Sequence, residues 1–132
     1  MTQTANNRFR KSQRLLRHAD FERVYKQGRR HFAAHMTVFY LARVAEIADG
    51  SVGSRVGFTV SKALGGAVQR NRMKRRLREA VRLQGVPAGM DADIVINPKR
   101  TLLTAEFADL RNEIAKAFVV IEKALQQKKE KR

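Results

Sequence analysis

Cysteine is absent from this 132-residue sequence, so neither a disulfide framework nor a thiolate zinc site can be built. A reducing, cytoplasmic setting is the expectation that follows. Tryptophan is also absent and proline occurs only twice. No stretch approaches the roughly 18 consecutive apolar residues of a membrane-spanning helix. The opening segment MTQTANNRFRKSQR lacks the apolar centre of a secretion signal. Acid is scarce as well: 12 Asp and Glu stand against 28 Lys and Arg, a formal charge of +16 with a pI near 11.4. Self-repulsion on that scale calls for a polyanion to relieve it. Nucleic acid comes first, because Lys and Arg release counterions when they meet phosphates. A membrane surface comes second, and the missing apolar run argues against insertion.

What is present suffices for one domain and one core, with 43% apolar residues. Residues 1–14 are polar and basic and read as a mobile arm. Residues 15–125 hold the domain, and 126–132, QQKKEKR, form a charged tail. Asp20 reads as the opening of a first helix over about 20–27, with Phe21, Val24 and Tyr25 at helical spacing and Gly28 as the stop. The run from Arg30 to Val44 is rich in β-branched and aromatic residues and reads as one or two strands. Met36, Val38 and Tyr40 take one face; Thr37, Phe39 and Leu41 take the other. Both faces are apolar, so each needs cover. A loop at 45–54 leads to a strand from Arg55 to Val60.

Gly65 and Gly66 precede a helix over about 67–83, which Gly85, Val86 and Pro87 end. Ile94 to Ile96 form a short strand. Phe107, Leu110, Ile114, Phe118, Ile121 and Leu125 then recur at threes and fours, the core stripe of a long amphipathic helix. The order is α, two or three β, α, β, α, a two-layer mixed domain with no internal repeat.

The most informative segment is RNRMKRRLR at 70–78, with six basic side chains and Asn71 in nine positions. At roughly 100° per residue, Met73, Leu77, Ala80 and Val81 gather on a core-facing arc. Lys74, Arg75, Arg78 and Arg82 gather around Asn71 on an adjacent arc, with Arg72 and Arg76 on the far flank. Like charges four apart cost a few tenths of a kcal/mol each in an isolated helix, and an external polyanion reverses that penalty. An ordinary solvated face intersperses Glu with Lys. Here Glu79 is the only acid between Lys62 and Asp91, and arginine, suited to bidentate phosphate contact, dominates. The segment points to nucleic acid without choosing between RNA and DNA.

Candidates for protein-based catalysis are thin. A nuclease needs clustered carboxylates for metals or a positioned general base. Asp91 and Asp93 flank an alanine before a strand and read as loop charges. Glu106, Asp109 and Glu113 read as solvated partners of Arg111 and Lys116. His31 and His35 share a strand face without a metal-site pattern, and His18 has no evident partner. The Gly65–Gly66 pair reads as a tight turn rather than a phosphate cradle. Neither a Walker A sequence nor a Gly-x-Ser-x-Gly elbow occurs.

The stretch RVGFTVSKALGGAVQRNRMKRRLREAVR, residues 55–82, closely resembles the signature of the bacterial ribonuclease P protein, with its hallmark at Arg70-Asn71-Arg72 followed by Lys74, Arg75 and Arg78. The segment DFERVYKQGRR resembles the same family's opening helix, and about 110 residues are covered. The resemblance implies an α+β fold, α-β-β-β-α-β-α, with a mixed sheet and a left-handed βαβ crossover, like domain 2 of ribosomal protein S5. General rules give a right-handed crossover in nearly every case. The resemblance further implies the protein subunit of an endoribonuclease that removes the 5′ leader of precursor tRNA. Catalysis then lies in the RNA subunit, which holds most of the Mg2+.

Implied partners are ribonuclease P RNA and precursor tRNA, with neither DNA nor membrane. The implied RNA-binding set is Lys62, Arg70, Asn71, Arg72, Lys74, Arg75 and Arg78. By position, Phe21, Tyr25 and Phe39 match the aromatics of a cleft for the single-stranded leader, where stacking recognises unpaired bases. Core packing is the competing reading for these rings, most of all for Phe39. Asn71 is the candidate amide for orienting a leader base or a metal-bound water. The chain departs from the family at Ala63, where a second lysine often follows Lys62. Two rivals remain at this point: a non-enzymatic RNA binder such as a ribosomal protein, and a DNA-binding module, for which a reading helix and often a dimer are expected.

Overall fold

The fold is described from a computed structural model covering residues 17–43 and 53–130. The basic arm at 1–14 and most of the loop at 45–54 lie outside the described residues. The elements are α1 (His18–Gln27), β1 (Arg29–Phe32), β2 (Met36–Ala42), β3 (Arg55–Phe58), α2 (Ala67–Gln84), β4 (Ala92–Pro98) and α3 (Phe107–Glu130). Short 3-10 turns at Lys62–Leu64 and Arg100–Leu103 precede α2 and α3. The expected element order and α+β class are met, and the apolar run after Gly28 resolves into two strands. The last helix continues through the start of the charged tail to Glu130.

The four strands form one sheet in the order β1-β2-β4-β3. The β1–β2 and β2–β4 pairs are antiparallel, and β3–β4 is parallel, joined through α2. Alternation along β2 sorts its side chains as expected. Met36, Val38 and Tyr40 join Val56, Ile94 and Ile96 in a core closed by Met73, Leu77, Ala80 and Val81 of α2 and by Leu110, Ile114, Phe118 and Ile121 of α3. On the opposite face Val24 and Val95 are buried among Phe21, Phe39 and Leu41, so α1 covers the second apolar face. Gly28 lets α1 end hard against β2. A Cβ there would lie 2.5 Å from the carbonyl oxygens of both Val24 and Tyr40, far inside van der Waals contact.

The strand expected from Arg55 to Val60 ends at Phe58, where the chain leaves the sheet for the Ser61-capped turn, and two further differences have a physical reason. Asp20 does not open α1; Arg17 caps it in extended geometry, and Asp20 sits buried in the first turn, drawn in by arginines described below. Asp93 is not a loop charge, because β4 begins at Ala92 and carries it 2% exposed within the sheet.

Candidate nucleic-acid interface

The helix α1 is fastened to the sheet at one end by charge and at the other by a hydroxyl. Arg55 grips Asp93 in a two-pronged contact, Nε to Oδ1 at 2.8 Å and Nη2 to Oδ2 at 2.7 Å. Arg23 bridges Asp20 (2.9 Å) and Asp93 (3.1 Å), and Arg55 also reaches Asp20 at 3.4 Å. Arg43 lies 3.6 Å from Asp93. The hydrogen bonds to Asp93 raise the Arg55 pKa above its ordinary value, outweighing the lowering effect of burial. Such a cluster holds only because each buried charge has partners.

At the other end, the Tyr25 hydroxyl lies 2.9 Å from Thr59 Oγ1 and 3.1 Å from Asn97 Oδ1. The Tyr25 ring meets Phe39 edge-on, centroids 4.9 Å apart at 90°, and the Arg30 guanidinium sits over Phe39 at 5.7 Å. Phe21 and Phe39 are half-buried and Tyr25 is 37% exposed. These three rings therefore do come together. Phe21 and Phe39 serve partly as core, in the small cluster with Val24 and Val95, and Tyr25 stands at their exposed margin. Arg30, Thr59 and Asn97 were missed as members of this site. The register shows them: Arg30 pairs with Phe39 and Thr37 with Asn97, so all project to the α1 side of the sheet.

The α2 helix packs on the other face, and the segment 59–66 at the β3 edge links the two sites. Ser61 caps the 3-10 turn, accepting from the Ala63 N–H. The Gly65 N–H donates to the Lys62 carbonyl at a φ of 144°, and only glycine is comfortable with that geometry. Lys62, Asn71, Arg72, Arg75 and Arg78 are exposed and Lys74 is half-buried. None of the cations among them forms an ion pair with the described residues. Arg70 is partly structural, its Nε donating to the Gly65 carbonyl at 3.1 Å.

Arg76 departs from the expected flank. It turns inward and donates to the carbonyls of Leu102, Leu103 and Ala105 at 2.6, 2.8 and 2.5 Å, tying α2 to the turn before α3. Beside Ala63, Arg100 donates to that residue's carbonyl at 3.1 Å, which brings a second cation to the Lys62 turn.

The remaining candidates resolve as structural contacts. His18 does have a partner, Glu22 at 2.8 Å one helical turn away. Glu113 does not pair with Lys116; it accepts from the His35 backbone N–H at 3.0 Å and lies 3.7 Å from that ring. Among the described residues no three His, Asp or Glu side chains gather to hold a metal ion. No helix among them is long and apolar enough to cross a membrane.

An arginine-rich arc on a docked helix with a single acid, Glu79, set across a sheet from an ordered aromatic rim, defines an α+β protein of nucleic-acid-binding type: the arc suits phosphates and the rim suits unpaired bases. Comparison with known proteins then specifies the family. The ribonuclease P family model matches residues 9–122. The chain is 39% identical over 94 residues to the ribonuclease P protein component of Maridesulfovibrio salexigens, covering 71% of this chain and 73% of that one. It is 39% identical over 115 residues to the component of Citrifermentans bemidjiense, covering 87% and 92%. Its fold is similar to the solved structure of the ribonuclease P protein from Thermotoga maritima, with a TM-score of 0.66 at 26% identity over 80% of this chain and 94% of that one. The chain belongs to the ribonuclease P protein family, the RNA-binding protein subunits that serve tRNA 5′ processing. That membership sets aside the ribosomal-protein and DNA-binding readings.

Proposed function

We propose that this subunit binds ribonuclease P RNA through the exposed arc of α2 and guides the 5′ leader of precursor tRNA along the Phe21–Tyr25–Phe39 rim, while the RNA cleaves the phosphodiester. The observation that carries this reading is the division of labour between the two faces. Lys62, Arg70, Asn71, Arg72, Lys74, Arg75 and Arg78 stand on or beside one helix with a single acid among its residues, Glu79. The rings stand on the other face with Tyr25 held upright by Thr59 and Asn97. Arginines neutralise phosphate and position the RNA; rings stack on splayed bases. Arg100 beside Ala63 adds charge where the Lys62 turn meets the RNA. Mg2+ belongs mainly to the RNA in this reading, since the protein's role is to screen phosphate repulsion and raise metal occupancy there.

The test is reconstitution. Purified protein added to a ribonuclease P RNA at low magnesium should accelerate cleavage of precursor tRNA to a 5′-phosphorylated product, and protein alone should be inert. Robust turnover by rigorously RNA-free protein would overturn the division of labour. Binding should also weaken steeply with salt. Neutralising about six phosphates gives a log–log slope near −4 to −5, and a slope near zero would remove the electrostatic role of α2.

A further inference from the structure

On the α1 side of the sheet, side chains line up in rows across the strands. Phe32 stands opposite Thr37, which stands opposite Asn97, and Thr59 continues the row, its N–H donating to the Ile96 carbonyl. Three of these four positions belong to, or adjoin, the site around Tyr25. The fourth, Phe32, ends the row at the open edge of the sheet and is 66% exposed. A large ring so exposed gains little from burial, and none of the apolar clusters includes it.

We propose that Phe32 is a further stacking platform for single-stranded RNA, taking a leader base beyond those on the Phe21–Tyr25–Phe39 rim. The inference rests on the leader-guiding reading above. Phe32 and Phe39 are diagonal cross-strand neighbours, a spacing of about 7–8 Å that aromatic side chains can bridge. Arg30 lies in the adjacent row, over the Phe39 ring, so the surface runs from ring to cation to ring. Aromatics on neighbouring strands of a four-stranded sheet are a general means of stacking successive unpaired bases. Exposed Arg30, two residues along the same strand and on the same face, supplies charge for an intervening phosphate. Around the edge, Phe32 borders a cavity of about 440 Å³ that also holds Asp109, Glu113 and Lys116.

The experiment uses reconstituted holoenzyme and precursor tRNAs whose leaders lengthen one nucleotide at a time. Wild type should gain affinity in steps. Phe32→Ala should lose the step that appears at the longer leaders, at least about 5-fold, and bind mature tRNA and short leaders normally. Phe32→Tyr should keep the step. Tyr25→Ala should lose affinity at shorter leaders. If Tyr25→Ala weakens leader binding while Phe32→Ala leaves every leader unchanged, the rim reading stands and this extension fails. If neither variant distinguishes leaders from mature tRNA, both fail. Equal loss for all RNAs in Phe32→Ala, or dimers in sedimentation that vanish on that substitution while the leader step persists, would also overturn the proposal.

Discussion

Arg23, Arg43 and Arg55 converge on two carboxylates beneath α1, whereas Arg72, Arg75 and Arg78 stand exposed on α2 without an ion pair among the described residues. The residue type is the same and its surroundings decide its work. Under α1 the guanidinium is part of the fold, because Asp20 and Asp93 are buried and neither sign can be left alone there. On α2 it is available to a ligand, because nothing in the fold competes for it. A chain at +16 thus spends scarce buried acid on docking a helix and leaves its binding helix almost acid-free.

The contrast can be broken at its strongest point. Asp93→Ala removes the carboxylate shared by Arg55, Arg43 and Arg23 at a 2%-exposed site, and the expected loss is about 3–5 kcal/mol of folding stability. Urea unfolding should show a large fall in midpoint at nearly constant slope. A change under about 1 kcal/mol would mean that the cluster is solvated and carries little.

Two adjacent residues sharpen it further. Arg76→Ala removes the donor to three carbonyls and should cost about 1.5–3 kcal/mol, the range of hydrogen bonds made by charged groups. Its neighbour Arg75→Ala should alter stability by no more than ~0.5 kcal/mol, yet reduce the salt slope of RNA binding by about 0.7–0.9. Paired unfolding and salt titrations on the two variants check this, and matching behaviour in both assays would erase the distinction.

The smallest effect belongs to Glu79. The hydrogen bond from Arg82 holds the Glu79 carboxyl below its ordinary value. A lowered folded-state value gives stability that is present above the ordinary carboxylate range and lost as pH falls through the lowered one. The pair lies on the surface, where screening leaves little of it. Glu79→Gln should therefore leave the unfolding midpoint unmoved at neutral pH, and free Arg82 to tighten RNA binding slightly. A clear drop in stability would place this pair with the buried cluster instead.

Local periodicity made much of this legible. The buried arc Met73, Leu77, Ala80 and Val81 follows from 3.6-residue spacing, and the split of β2 into two apolar faces follows from alternation. The basic helix α2 is legible because its charge is almost uncompensated within its own segment. What was hidden depends on distant partners. Asp93 looked like a loop charge because Arg55 and Arg23 lie 38 and 70 positions away. Arg76 looked like its neighbours because its three carbonyls come from the turn before α3. His18 and Glu22 are the exception: a spacing of four on a helix was a readable signal. Phe39 could not be assigned to core or cleft by pattern; the structure packs it half-buried beside Val24 and Val95 and edge-on to the exposed Tyr25 ring.

The strand order also sets a timetable. β4 lies between β2 and β3, yet it leaves the ribosome after both of them and after α2. Until residues 92–98 emerge, β2 and β3 have no strand to join them, and the apolar face of α2 has no completed sheet beneath it. The arginine helix is therefore synthesised before the scaffold that orients it. For that interval the nascent chain has the attraction for polyanions without the geometry, with both long-range pairing and apolar edges still waiting. The geometry that sets the arginine arc against the sheet exists only once the fourth strand slots into the middle.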